Sequence, residues 1–152
     1  DSGSRILVMA TANTLSQDKY YHLIEHWGSD QTIIPLPCVG LAQRIEQGNL
    51  DGEDLMELLD HLLSPYVGKV DSIVLGCTHY PFIKKQISQI MGADIPLFDG
   101  GAGTARELKR RLGVAGLLSD SREAGHIVFR SSVNTEEELR LYQWMFEQPI
   151  ET

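Results

Sequence analysis

Two short runs set the strongest limit on how this chain folds. Arg5-Ile6-Leu7-Val8-Met9-Ala10 and Ser72-Ile73-Val74-Leu75-Gly76 are apolar on consecutive residues rather than on alternate ones. A strand with one wet face alternates, whereas a strand apolar on both sides needs cover on both faces, as in a parallel sheet flanked by helices. Helical patterns separate such runs. A helix capped by Ser16 runs through His26, with Tyr20, Leu23, Ile24 and Trp27 on one face and Gly28 as its stop. Thr32 to Leu36 reads as a second strand, an edge because Pro35 has no N–H for a ladder. Val39 to Gln47 is a short helix stopped by Gly48, and Glu53 to Leu63 repeats leucines at helical period. A helix from Pro81 to Met91, a strand from Ile95 to Phe98 and a helix from Thr104 to Leu112, ended by Gly113, follow. His126 to Arg130 alternates like a strand, and Thr135 with Glu138 forms a capping box for a helix through Phe146. This alternation predicts an α/β fold, with pocket chemistry at the carboxyl edge of a parallel sheet.

Composition narrows the function classes. Hydrophobic residues at 42% and charged residues at 22% are those of a globular domain, and no apolar run approaches the roughly 18 residues of a membrane span. The net charge is −8, with −7 of it in residues 1–76. An acidic chain without a dense basic face is a poor partner for nucleic acid or an anionic membrane, and a soluble, cytoplasmic protein is the expectation. Cys38 and Cys77 are too few for a disulfide framework, and the five histidines lack ligand spacing, so no metal site is expected.

One strand–helix junction concentrates reactive groups. In Gly76-Cys77-Thr78-His79-Tyr80-Pro81, Pro81 suits the first helical turn and Cys77 falls near unpaired backbone donors, a setting that favours thiolate. His79 is close enough to exchange a proton with it. A cysteine at such a turn is by itself more often a small packed residue; a histidine two residues on brings the odds near even. Thr11 and Thr14, after the first strand, either bind a carboxylate or merely cap the next helix. Glu46 either orients a histidine or is a solvated helical residue. Cys38 reads as structural. Asp99-Gly100-Gly101-Ala102-Gly103-Thr104 lacks the ending of a phosphate loop and reads as a tight turn before a helix. Lys109-Arg110-Arg111 reads as a solvated helix end.

The segment Leu75-Gly76-Cys77-Thr78-His79-Tyr80-Pro81 resembles the second catalytic-cysteine motif of the glutamate racemases, in the cofactor-independent aspartate/glutamate racemase superfamily. Val8 to Thr14, Pro37 to Gly48, Asp99 to Arg106 and His126 to Phe146 resemble further family segments in the same order. The resemblance implies a flavodoxin-like three-layer domain over residues 1–99. It also implies a segment, 100–152, that in the family returns to a first domain whose own cysteine motif does not occur here. It implies proton transfer at the Cα of glutamate by two facing cysteines, without cofactor or metal. Cys77 is then one acid/base, Thr78, His79, Thr11 and Thr14 contact substrate, and Glu46 holds His79. Cys38 follows a proline where the family's non-catalytic cysteine precedes one. The expected chain is a racemase fragment inactive alone, a homodimer being implied by the family's habit. Aspartate or another amino acid as substrate, a non-catalytic interaction module, and a thiol hydrolase are the competing readings.

Overall fold

The computed structural model describes residues 3–27, 30–121 and 123–150. It divides into two compact units at Gly100/Gly101. The first is built on a four-stranded, wholly parallel sheet. Its strands are β1 (Arg5–Ala10), β2 (Thr32–Pro37), β3 (Ser72–Leu75) and β4 (Leu97–Asp99), in the order β2-β1-β3-β4. The helices are α1 (Ala12–Leu15), α2 (Asp18–Trp27), α3 (Leu41–Glu46), α4 (Glu53–Leu63) and α5 (Lys84–Met91). The α/β expectation holds, and Pro35 sits on an edge strand as its missing donor requires.

Side-chain alternation divides the sheet into two apolar faces. Leu7, Met9, Ile73 and Leu75 point to one side and are buried with Leu41 and Ile45 of α3, Leu55, Leu59 and Leu63 of α4, and Ile87 and Met91 of α5. Ile6, Val8, Ala10 and Val74 point to the other, where α2 brings Tyr20, Leu23 and Ile24 around a cavity of about 530 Å³. Apolar residues on both sides of β1 and β3 are therefore explained by cover on both faces. Two polar ties fix the helices of the first face. Arg44 of α3 is buried and donates to Asp54 of α4 at 2.7 Å through Nη2, and Gln86 of α5 donates to the Leu50 carbonyl at 2.9 Å.

Several boundaries differ from expectation. Thr11, not Ser16, caps the first helix, which is a separate turn; Ser16 is its C-terminal cap, and α2 begins at Asp18. The Trp27 side chain and the Gly28 stop lie outside the described residues. The helix expected from Pro81 opens as a 3-10 turn, Tyr80–Ile83, before α5. Gly48 and Gly92 do end their helices, both with positive φ.

The second unit, Gly101–Ile150, contains α6 (Gly101–Val114) and α7 (Glu136–Glu147). Gly101 and Gly103 are helical rather than a tight turn, and Gly113 lies inside α6; the reversal comes at Gly116, with φ 65°. Thr135 caps α7 by accepting from the Glu138 N–H, as the capping pattern requires. The strand expected at His126 to Arg130 does not form. A strand needs a neighbour for its N–H and C=O groups, and the alternating pattern here has none to pair with. None of this unit's described residues is buried, and Phe146, 59% exposed, meets Phe129 edge to face. No helix among the described residues is long and apolar enough to cross a membrane.

The buried leucines of α4 supply the first unit's stability. Leu59→Ala should cost about 2–5 kcal/mol through lost burial and the cavity left behind, read as a lower urea midpoint. A change below about 1 kcal/mol would mean that α4 is not packed as described.

Candidate active site

In a parallel sheet of this order the chain leaves β1 in one direction and β3 in the other, which opens a crevice beyond their carboxyl ends. The ladder ends with the Gly76 N–H donating to the Met9 carbonyl at 2.8 Å. A Cβ on Gly76 would lie 3.0 Å from that carbonyl and 3.2 Å from the Ala10 Cβ. Only a residue without a side chain lets the two strand ends run so close. Beside them the Cys38 N–H donates to the Ala10 carbonyl at 2.9 Å. The segments carrying Thr11, Cys38 and Cys77 thus start side by side along one edge.

Cys77, Thr78 and His79 form the link from β3 to the 3-10 turn, where the Tyr80 N–H donates to the Cys77 carbonyl at 3.2 Å. The turn folds His79 back: its Nδ1 lies 3.6 Å from the Cys77 sulfur. Its Nε2 lies 2.8 Å from Oε1 of Glu46, at the end of α3. An ionised carboxylate only accepts, so Nε2 carries the hydrogen and Nδ1 of the neutral ring is left to take the thiol's proton. Proton transfer would leave a thiolate beside an imidazolium that Glu46 stabilises. Glu46, 33 residues from His79, is therefore held for this contact by α3, which Arg44 and Asp54 tie to α4.

The other residues singled out are placed as follows. Thr78 is exposed at the same turn. Thr11 and Thr14 are half-buried and engage each other: Thr11 Oγ1 accepts from the Thr14 N–H at 3.2 Å, and their hydroxyls are 2.9 Å apart. That is the capping arrangement, and it stands at the same sheet edge as Cys77. Cys38 is buried, 2% exposed, and burial pushes its thiol up to about 11, so it stays protonated. Its Sγ–H points to the Leu36 carbonyl at 3.5 Å. Two features escaped the reading of the sequence. Lys84, opening α5, pairs with Asp99 at the end of β4 at 2.7 Å, both largely buried. Tyr80 is completely buried behind Cys77; its spacing to Ile83 and Ile87, three and seven residues on, was the available sign of a core position. Among the described residues no group of three or more acidic, histidine or cysteine side chains could hold a metal ion.

No protein-family model matches the chain. A glutamate racemase of Clostridium perfringens is 43% identical over 148 residues, 97% of this chain and 56% of that protein. Over its matched length the chain is similar to glutamate racemases. That of Clostridium kluyveri is 40% identical over 137 residues, 90% of this chain and 53% of that protein. The chain thus spans about half the length of the curated relatives it matches. Among solved structures, Francisella tularensis glutamate racemase in complex with D-glutamate superposes with a TM-score of 0.70 and 27% identity, over 78% of this chain and 45% of that one. Escherichia coli glutamate racemase shares the fold, with a TM-score of 0.75 over 98% of this chain and 56% of that one at 23% identity.

The two thiols should react very differently. At mildly alkaline pH the folded chain should take up one equivalent of iodoacetamide, at Cys77, with Cys38 labelled only after unfolding. Peptide mapping reads the outcome; equal labelling of both would contradict the burial assigned to Cys38.

Proposed function

We propose that the chain is part of a glutamate racemase, interconverting L- and D-glutamate by moving the Cα proton. The observation that carries this reading is the His79 bridge between Cys77 and Glu46. A thiol, a proton acceptor and a carboxylate that stabilises the resulting cation meet at the sheet edge where ligands bind. The names of the relatives point to the same chemistry. In this reading Cys77, as thiolate, removes the proton from one face of Cα while a second thiol supplies one to the other face. Inversion follows without a metal or cofactor. Cys38 is a poor candidate for that second thiol, being buried and held protonated.

Thr11, Thr14 and Thr78 offer hydroxyls and backbone N–H groups for the substrate carboxylates, once the Thr11–Thr14 pair opens to a stronger acceptor. The second thiol belongs to protein beyond this chain, and the isolated chain does not invert glutamate. The exposed apolar surface of the second unit, including Ile127, Val128 and Phe146, supports packing against such additional protein or in a homodimer. The D-glutamate made would serve peptidoglycan synthesis in the cytoplasm.

Substrate contact is testable on the chain itself. Saturating L- or D-glutamate should slow iodoacetamide labelling of Cys77 severalfold, and aspartate should protect less. Equal labelling with and without either glutamate enantiomer would overturn the reading. Stronger protection by aspartate would transfer it to an aspartate racemase.

A further inference from the structure

Tyr80 carries a buried polar group that the fold does not use. Its side chain is 0% exposed, within the cluster that includes Cys38 and against which Cys77 packs. Its hydroxyl has no hydrogen-bond partner. A buried, unpaired hydroxyl loses its hydration for nothing in return, and such groups are rare outside functional sites. Phenylalanine would fill the same space without that loss. The hydroxyl is not far from chemistry, for the sulfurs of Cys38, the stronger influence, and of Cys77 both lie close enough to act on it.

We propose that Tyr80 is a positioning residue whose hydroxyl donates to the Cys77 sulfur when that sulfur becomes a thiolate. Among the described residues, the titratable groups set against Cys77 are His79, backed by Glu46, together with Tyr80 and Cys38. Burial holds the Tyr80 phenol protonated well above the ordinary tyrosine range, so it remains a donor. Cys38 also stays a neutral thiol and competes weakly as an acceptor. Of the two sulfurs that act on the hydroxyl, Cys77 is therefore the one that becomes an anion, and an O–H···S⁻ contact is charge-assisted. With the Cys77 thiol protonated the hydroxyl has only neutral, weakly accepting sulfurs beside it; with the thiolate formed it acquires a strong partner. The neutral side of the equilibrium bears the desolvation and the charged side recovers it, which shifts the balance toward thiolate. The purpose served, a thiolate poised for proton abstraction, rests on the racemase reading.

The test is the pH dependence of Cys77 alkylation in the full 152-residue chain, with circular dichroism and Tm recorded alongside. Tyr80→Phe should raise the midpoint by about one pH unit and slow labelling at pH 7 about tenfold, while Tm stays equal or rises. 3-Fluorotyrosine placed at position 80 alone, a more acidic phenol and a stronger donor, should move the midpoint down. Opposite shifts from two nearly isosteric side chains would not arise from packing. A midpoint unchanged in a folded Tyr80→Phe chain, or unmoved by the fluorinated residue, overturns the proposal. Glutamate takes no part in this titration. Failed protection by glutamate would remove the racemase reading and leave the Tyr80 result standing, and the converse also holds.

Discussion

The closeness of β1 and β3 at their carboxyl ends is the contact on which the rest of this site depends. The ladder runs as far as the Gly76 N–H on the Met9 carbonyl, and the missing Cβ at Gly76 lets it do so. From there the chain can only turn away from the sheet, and the next three residues make that turn. Cys77 is delivered to the crevice by backbone pairing, and His79 is folded back toward it as the 3-10 turn begins. The parallel sheet requires this edge to carry loop backbone with free N–H groups. The same arrangement that covers both faces of β1 thus leaves its end open for chemistry.

The second support is remote in sequence. Glu46 reaches His79 because α3 lies against α4, with Arg44 and Asp54 as the tie and Leu41 and Ile45 in the core. Position and protonation are set together: the carboxylate fixes which ring nitrogen carries hydrogen, and so which one faces the thiol. Cys38 shows the contrasting case on the same edge. It is a thiol of the same kind, but burial raises its pKa and its Sγ–H points to the Leu36 carbonyl. Environment, rather than residue type, separates Cys38 from the half-buried Cys77 beside His79.

Much of this was legible in the sequence, for physical reasons. Strands β1 and β3 declare themselves by being apolar on successive residues, and Pro35 marks an edge. The pairing of Cys77 with His79 follows from a two-residue separation at a strand end. The first helix was misjudged because Thr11 and Ser16 are both good caps, and residue type alone does not show that Thr11 takes the N–H three residues on while Ser16 closes the turn. His126 to Arg130 has a strand's alternation, yet pairing partners decide whether such a pattern becomes a strand. Gly113 looked like a helix stop because glycine is common there, but the helix carries it and reverses three residues later. Tyr80 read as an ordinary member of its motif, since a sequence does not show that a buried hydroxyl lacks a partner.

The central claim is that Cys77 is a proton carrier at the Cα of glutamate. It is tested most directly by joining the chain to the portion of the Clostridium perfringens racemase that it does not span. Conversion of L- to D-glutamate by the folded chimera, and solvent deuterium at Cα by NMR, would then be followed with and without Cys77→Ala. The account predicts conversion that the substitution lowers by about a thousandfold or more, on the scale of losing an essential acid/base group. Conversion that survives Cys77→Ala would contradict it.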